Sequence, residues 1–279
     1  METKYSAYDK TVSDARIKEI LESAESFDEV NTIPARNSLT YSNGFYVNCT
    51  AVFIDIRGSS KLTDTHTRPV IGKIYRSYIS ECVAIMNADE NCKEVFITGD
   101  CVSGIFNSPY QSNIVSAFET AGRLSSLVEL LNWHLSDKGY QPIVCGIGIA
   151  YGRALMIQAG ARGSGVNDVV WIGDAVNEAA HLCHEGNREF RRSVQVSTTV
   201  FNNLTAKYKE FCYPVGFAFA PENYETDIYN IAMREYFDKE KKKAESFTNF
   251  LAILLSNPTY PTGGTGLGML SSGLRTPPK

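Results

Sequence analysis

Apolar residues recur along the chain with two distinct periods, and the switches between them mark out the elements. Residues 12–27 set Ile17, Ile20, Leu21 and Ala24 at helical spacing, and Pro34 breaks the pattern soon after. This predicts an N-terminal helix outside the main fold. From Tyr46 to Ile56 the run is that of a buried strand, and the segment after it sets Ile71, Tyr75, Tyr78, Cys82 and Ile85 on one helical face. "CKEVFITGD" and "CVSGIFNS" predict two short strands joined by a tight turn at Gly99 and Asp100. Residues 113–137 then carry Ile114, Phe118, Ala121, Leu124, Leu127, Leu131 and Leu135 along a second long helix. Two further strands, "IVCGIGIAYG" and "ALMIQAG", precede "VVWIGDAVNEAAHL", which reads as strand, turn and helix.

The order β, α, β, β, α, β is the split βαβ arrangement of ferredoxin-like domains, with extra strand and helix units near residues 194–233. The predicted fold class is α+β, an antiparallel-containing sheet with helices packed on one face. Three parts are expected: residues 1–40 as a helical extension, 41–234 as the main domain, and 235–279 as a solvated helix or linker followed by a tail. That tail, "NPTYPTGGTGLGMLSSGLRTPPK", is rich in Gly, Pro, Ser and Thr. Its Leu267, Met269 and Leu270 are apolar contacts available to a partner chain.

Composition narrows the function classes. The chain has 279 residues, 43% of them hydrophobic, enough to bury one core of ordinary size. Its formal charge of −4, with basic residues scattered except for a run at Lys239–Lys243, gives no broad positive face for a nucleic-acid polymer. Seven cysteines without a CxxC pair fit reduced core thiols, not a zinc site or disulfide framework. METKYSAYDK lacks the apolar core of a signal peptide, and "FLAILL" falls far short of the ~20 residues of a membrane span. The reading is a cytoplasmic protein without a membrane partner.

The candidate chemistry lies in "AVFIDIRGSSKL" and "FITGD", residues 51–62 and 96–100. Taken singly, an acid at a strand end and a "GD" in a turn are ordinary turn chemistry. Together, Asp55 at the end of the first core strand and Asp100 in the hairpin turn fall at neighbouring places of a split βαβ sheet. Two acids held side by side repel unless a cation joins them. Oxygen ligands and a small-residue loop offering backbone N–H groups point to Mg²⁺ or Mn²⁺ holding a polyphosphate, with the Ile56 carbonyl completing the shell.

"VFIDIRGSSKLT", "VFITGDCVSGIF", "CGIGIAYGRAL" and "WIGDAVNEAAHL" resemble, in order and spacing, the four signature segments of class III nucleotidyl cyclases. The resemblance covers roughly residues 46–233. It implies a homodimer with active sites at the interface, two divalent ions per site on Asp55, Ile56 and Asp100, and attack of a ribose 3′-hydroxyl on the α-phosphate with loss of pyrophosphate. It further implies that Gly58, Ser59 and Ser60 hold the polyphosphate through backbone N–H groups, that Arg153 contacts the triphosphate, and that Asn177 orients the ribose.

Four features depart from the family's pattern. Phe96 and Val170 stand where such cyclases read the base with polar side chains, so an adenine edge would lose its partners there. His181, four residues after Asn177, replaces a transition-state arginine; a histidine there either donates a hydrogen bond, carries charge below its ordinary pKa of about 6.5, or merely covers the helix face. A phosphate-contacting lysine has no match in "AFAPENYETDIYNI". With both metal acids present, this combination resembles the bacterial Pycsar pyrimidine cyclases, which make cyclic UMP or cyclic CMP and signal to a separate effector in antiphage defence. The expectation is UTP as substrate, with CTP, an atypical adenylate cyclase and an inactive cyclase-like dimerisation module as alternatives. Palm-type polymerases and diguanylate cyclases also place two acids on a similar sheet, but no GGDEF-like hairpin is present, and "GIGIAYG" is too weak to indicate a dinucleotide site.

Overall fold

A computed structural model describes residues 5–160, 167–217 and 219–256. In chain order the elements are α1 (Lys10–Glu22), β1 (Ser26–Val30), β2 (Asn43–Ile56), α2 (Ser59–Thr65), α3 (Arg68–Asn87), β3 (Cys92–Thr98), β4 (Cys101–Asn107), α4 (Gln111–Asp137), β5 (Cys145–Gly160), β6 (Asn167–Gly173), α5 (Asp174–Glu185), β7 (Val194–Val196), α6 (Thr198–Asn203), α7 (Ala206–Lys209), β8 (Tyr213–Phe217), β9 (Ala220–Thr226) and α8 (Ile231–Ser256). The chain divides into two compact units between Arg234 and Glu235. Leu267, Met269 and Leu270 lie outside the described residues.

One sheet runs β3-β4-β2-β5-β7-β9-β8, with β1 also paired to β2 and β6 to β5. β2 is its spine, antiparallel to β4 on one side and to β5 on the other. Side chains alternate across it. Val52, Ile54 and Ile56 enter one core with Tyr78 and Met86 of α3 and Phe118 and Leu124 of α4. Val47, Cys49 and Ala51 enter a second core with Ala175, Ala179 and Leu182 of α5. All seven α4 positions predicted from spacing are buried, while the α3 stripe is Ile74, Tyr78, Cys82 and Met86, turned slightly from the expected set.

Helices therefore cover both faces of the sheet, where the sequence reading placed them on one. The reason is in "GIGIAYG". A Cβ on Gly148 would lie 2.1 Å from the Ala179 carbonyl oxygen and 2.2 Å from the Cys183 nitrogen, and one on Gly146 would lie 2.4 Å from the Cys183 carbonyl oxygen. Bare backbone on β5 lets α5 rest directly on the strand. Two boundaries also differ. "IVCGIGIAYG" and "ALMIQAG" belong to one 16-residue strand, because β2 pairs with β5 from Gly44 to Ile56 and carries it through Gly152. The N-terminal helix stops at Glu22, and residues 26–30 form β1, parallel to β2. Asp9 caps that helix by accepting from the Thr11 backbone N–H at 2.8 Å.

Candidate active site

β2 delivers Asp55 one residue beyond its last pairing with β4, Ile54 opposite Val102, and Asp100 precedes β4 in the turn that Gly99 opens at φ 65°. Both carboxylates thus emerge at the same end of the β2–β4 pair. Burial raises the Asp55 carboxyl above the usual carboxylate range, and the charge of Asp100 raises it further, against the attraction of Arg57, Arg188 and His184. Cys101, next to Asp100 at the start of β4, is pushed up to about 11 by burial first and then by both carboxylates.

Arg57 was not singled out from the sequence. Its Nη1 lies 3.3 Å from Asp55 Oδ2, its Nη2 donates to the Cys183 carbonyl, and its side chain is only 11% exposed. It ties the acid at the end of β2 to the last turn of α5. The two carboxylates repel each other and their donors are hard oxygens, so the residues present fit a divalent cation. Among the described residues no third His, Cys, Asp or Glu completes a ligand set with them.

Ser59 and Ser60 open α2 behind Gly58, so their backbone N–H groups have no intrahelical acceptor. On α5, Asn177 and His181 are one turn apart and both exposed. Arg153 stands on β5 opposite Asn48 of β2, seven residues from Asp55 or about 23 Å of strand. It donates to Glu29 of β1 and lies 4.1 Å over the ring of Tyr46. A single protomer therefore keeps Arg153 apart from the two acids. Phe96 is half-buried against the α5-side core, and Val170 is paired with Ile157 of β5. A cavity of about 420 Å³ lined by Glu119, Tyr208, Tyr213 and Tyr229 holds none of these residues.

Arg36 is a second residue that sequence reasoning passed over. Its Nε donates to both Glu94 oxygens at 2.8 and 2.9 Å, and its Nη1 donates to Asp168 at 3.1 Å. These carboxylates lie two residues before Phe96 and Val170 respectively. The only hint in the sequence is that spacing; the pairing spans 58 and 132 residues.

No protein-family model matches the sequence. A uridylate cyclase of Gulbenkiania mobilis is 38% identical over 211 residues, which cover 73% of this chain and 82% of the relative. The chain belongs to the uridylate cyclase family. A second member, from Treponema porcinum, is 36% identical over 197 residues, covering 71% of this chain and 69% of its own. The fold is that of the class III cyclases: the adenylyl cyclase CyaB from P. aeruginosa superposes with a TM-score of 0.55 at 20% identity over 66% of this chain and 95% of that one. A class III adenylyl cyclase-like ATP-binding protein from Pseudomonas aeruginosa gives 0.62 at 18% identity, over 80% of this chain and 48% of that one. The family member described here is thus a nucleotidyl cyclase. Among its described residues no helix is long and apolar enough to cross a membrane.

Proposed function

We propose that this cyclase converts UTP to 3′,5′-cyclic UMP and pyrophosphate, in a homodimer whose sites are shared between protomers. The observation that carries the reading is the emergence of Asp55 and Asp100 at one end of the β2–β4 pair, in a chain whose relatives are uridylate cyclases. Asp55, Asp100 and the Ile56 carbonyl would hold Mg²⁺ or Mn²⁺, with substrate phosphates and water filling the remaining positions. When bound, such ions neutralise the triphosphate and acidify the attacking hydroxyl.

The chain's own residues then divide the work. The 3′-hydroxyl gives its proton to solvent as its oxygen attacks the α-phosphorus in line, the bond to the β-phosphate oxygen breaks, and pyrophosphate leaves with that electron pair. The backbone N–H groups of Ser59 and Ser60, with Gly58 leaving the approach open, hold phosphate oxygens. Asn177 orients the ribose, and His181 donates to charge developing on the phosphate. Arg153 grips the triphosphate from the partner protomer; its distance along the strand from Asp55 of its own chain supports that assignment. Phe96 offers a stacking face for a pyrimidine, and Val170 closes the pocket without a polar partner for a purine edge. The cyclic nucleotide acts as a second messenger to a separate effector in antiphage defence, in a cytoplasmic setting.

The test is incubation of purified protein with each of the four ribonucleoside triphosphates and Mn²⁺, with products identified by mass. Cyclic UMP as the main product is expected. Mainly cyclic CMP would move the assignment to cytosine, cyclic AMP would end the pyrimidine reading, and no product from any triphosphate would leave an inactive dimerisation module.

A further inference from the structure

Arg36 holds a position that neither its burial nor its ion pairs fully use. The segment carrying it crosses from the β3–β4 edge, where the Ile33 N–H donates to Asn107 Oδ1 at 2.8 Å, to β6, where Asn167 Nδ2 donates to the Tyr41 hydroxyl at 2.8 Å. Midway, Arg36 bridges Glu94 of β3 and Asp168 of β6. Phe96 and Val170 follow the two carboxylates by two residues, on the same faces as them and about 6.6 Å further along. Arg36 thus ties the strand of Phe96 to the strand of Val170 within one protomer, and each carboxylate it engages stands two residues before one of those positions.

A guanidinium has five N–H donors. Nε–H and one on Nη2 go to Glu94, and one on Nη1 goes to Asp168, which leaves two unengaged on a side chain 53% exposed. Glu94 is buried at 6% exposure, so the fork is fixed from the inside and its free edge faces outward. Flanked by two carboxylates, Arg36 has little net attraction for phosphate. It suits instead a neutral acceptor. The 4-position of uracil is a carbonyl, and that of cytosine is an amine that would set donor against donor.

We propose that Arg36 reads the base, donating its free N–H groups to O4 of uracil and so rejecting cytosine. This rests on the pyrimidine reading above. With the unaltered protein, 4-thio-UTP, whose sulfur is a poor acceptor, should lose about 10-fold or more in kcat/KM against UTP, while 2-thio-UTP stays close to UTP. The variant Arg36→Lys keeps the charge but not the fork; it should lower the UTP-to-CTP ratio of kcat/KM by about 10-fold, mainly through KM for UTP. Equal loss with the two thio analogues, or an unchanged UTP-to-CTP ratio in a folded Arg36→Lys protein, would overturn the assignment and leave Arg36 a structural clamp. A wild-type protein that cyclises no pyrimidine triphosphate would instead overturn the function itself, and that result is in hand before any variant or analogue is compared.

Discussion

Arg57 Nη1 sits 3.3 Å from Asp55 Oδ2, and the same guanidinium reaches the Cys183 carbonyl on α5. Asp55, the proposed metal-binding acid, and the helix that carries Asn177 and His181 are thus coupled through one buried side chain. Arg57→Met should destabilise the protein by about 1–3 kcal/mol, since it leaves the Cys183 carbonyl without its donor and Asp55 without its cation. Chemical denaturation in the absence of divalent ions measures this. A variant as stable as wild type would mean that the contact is incidental.

The raised carboxyl of Asp55 gives a pH signature with a definite sign. A carboxyl whose pKa is higher in the folded than in the unfolded chain stabilises the fold fully below the unfolded value, about 3.9, and that contribution is lost as pH rises through the folded value. Metal-free protein should therefore lose stability over that window, because burial and Asp100 both oppose ionised Asp55. Asp100→Asn relieves the repulsion, narrows the window and raises Tm by about 2 °C above it. Mn²⁺ should stabilise wild type and have little effect on the variant. Thermal melts at a series of pH values, with and without Mn²⁺, check each part; an Asp100→Asn protein that Mn²⁺ stabilises as well as it does wild type would remove Asp100 from the metal site.

Local periodicity made much of this legible and tertiary contact made the rest invisible. The seven apolar positions of α4 repeat every three or four residues, and each is buried. The Asp55–Asp100 juxtaposition follows from the order of elements alone. By contrast, "GIGIAYG" reads locally as a strand with small residues, because the helix that needs its glycines begins more than twenty residues later. β1 carries mostly polar, exposed residues and is a strand only because β2 extends far enough to pair with it. Arg36 and Arg57 escaped for the same reason: an arginine's role depends on which carboxylate or carbonyl the fold brings to it.

Gly148→Ala tests whether α5 must lie on β5 for the site to work. The added methyl would meet the Ala179 carbonyl oxygen at 2.1 Å and the Cys183 nitrogen at 2.2 Å, both backbone atoms that cannot swing aside. α5 has to lift, taking Asn177 and His181 with it. The expected cost is about 2 kcal/mol or more in stability, with turnover reduced beyond what the unfolded fraction accounts for. Gly139→Ala, where no heavy atom lies within 4 Å but φ is +67°, is a control for strain without displacement of α5. If the two variants lose turnover equally per unit of stability, the seating of α5 has no special bearing on the chemistry.

Asn177→Ala should cut turnover by about two to three orders of magnitude, as loss of one preorganised donor to a transition state does. KM for UTP should change little, because the proposed contact strengthens only as the ribose oxygen attacks. His181 is one turn away on the same exposed side of α5, which allows a sharper comparison. If it donates to charge on the phosphate, His181→Arg preserves or raises turnover and His181→Ala lowers it, whereas a side chain that only covers the helix tolerates both. Stability offers no confusion here, since both residues are solvent-exposed and neither supports a core. Measuring kcat for the three variants at one pH, with Mn²⁺ saturating, separates the roles: unchanged turnover in Asn177→Ala would take that residue out of the mechanism, and equal activity of His181→Ala and His181→Arg would return His181 to the helix surface.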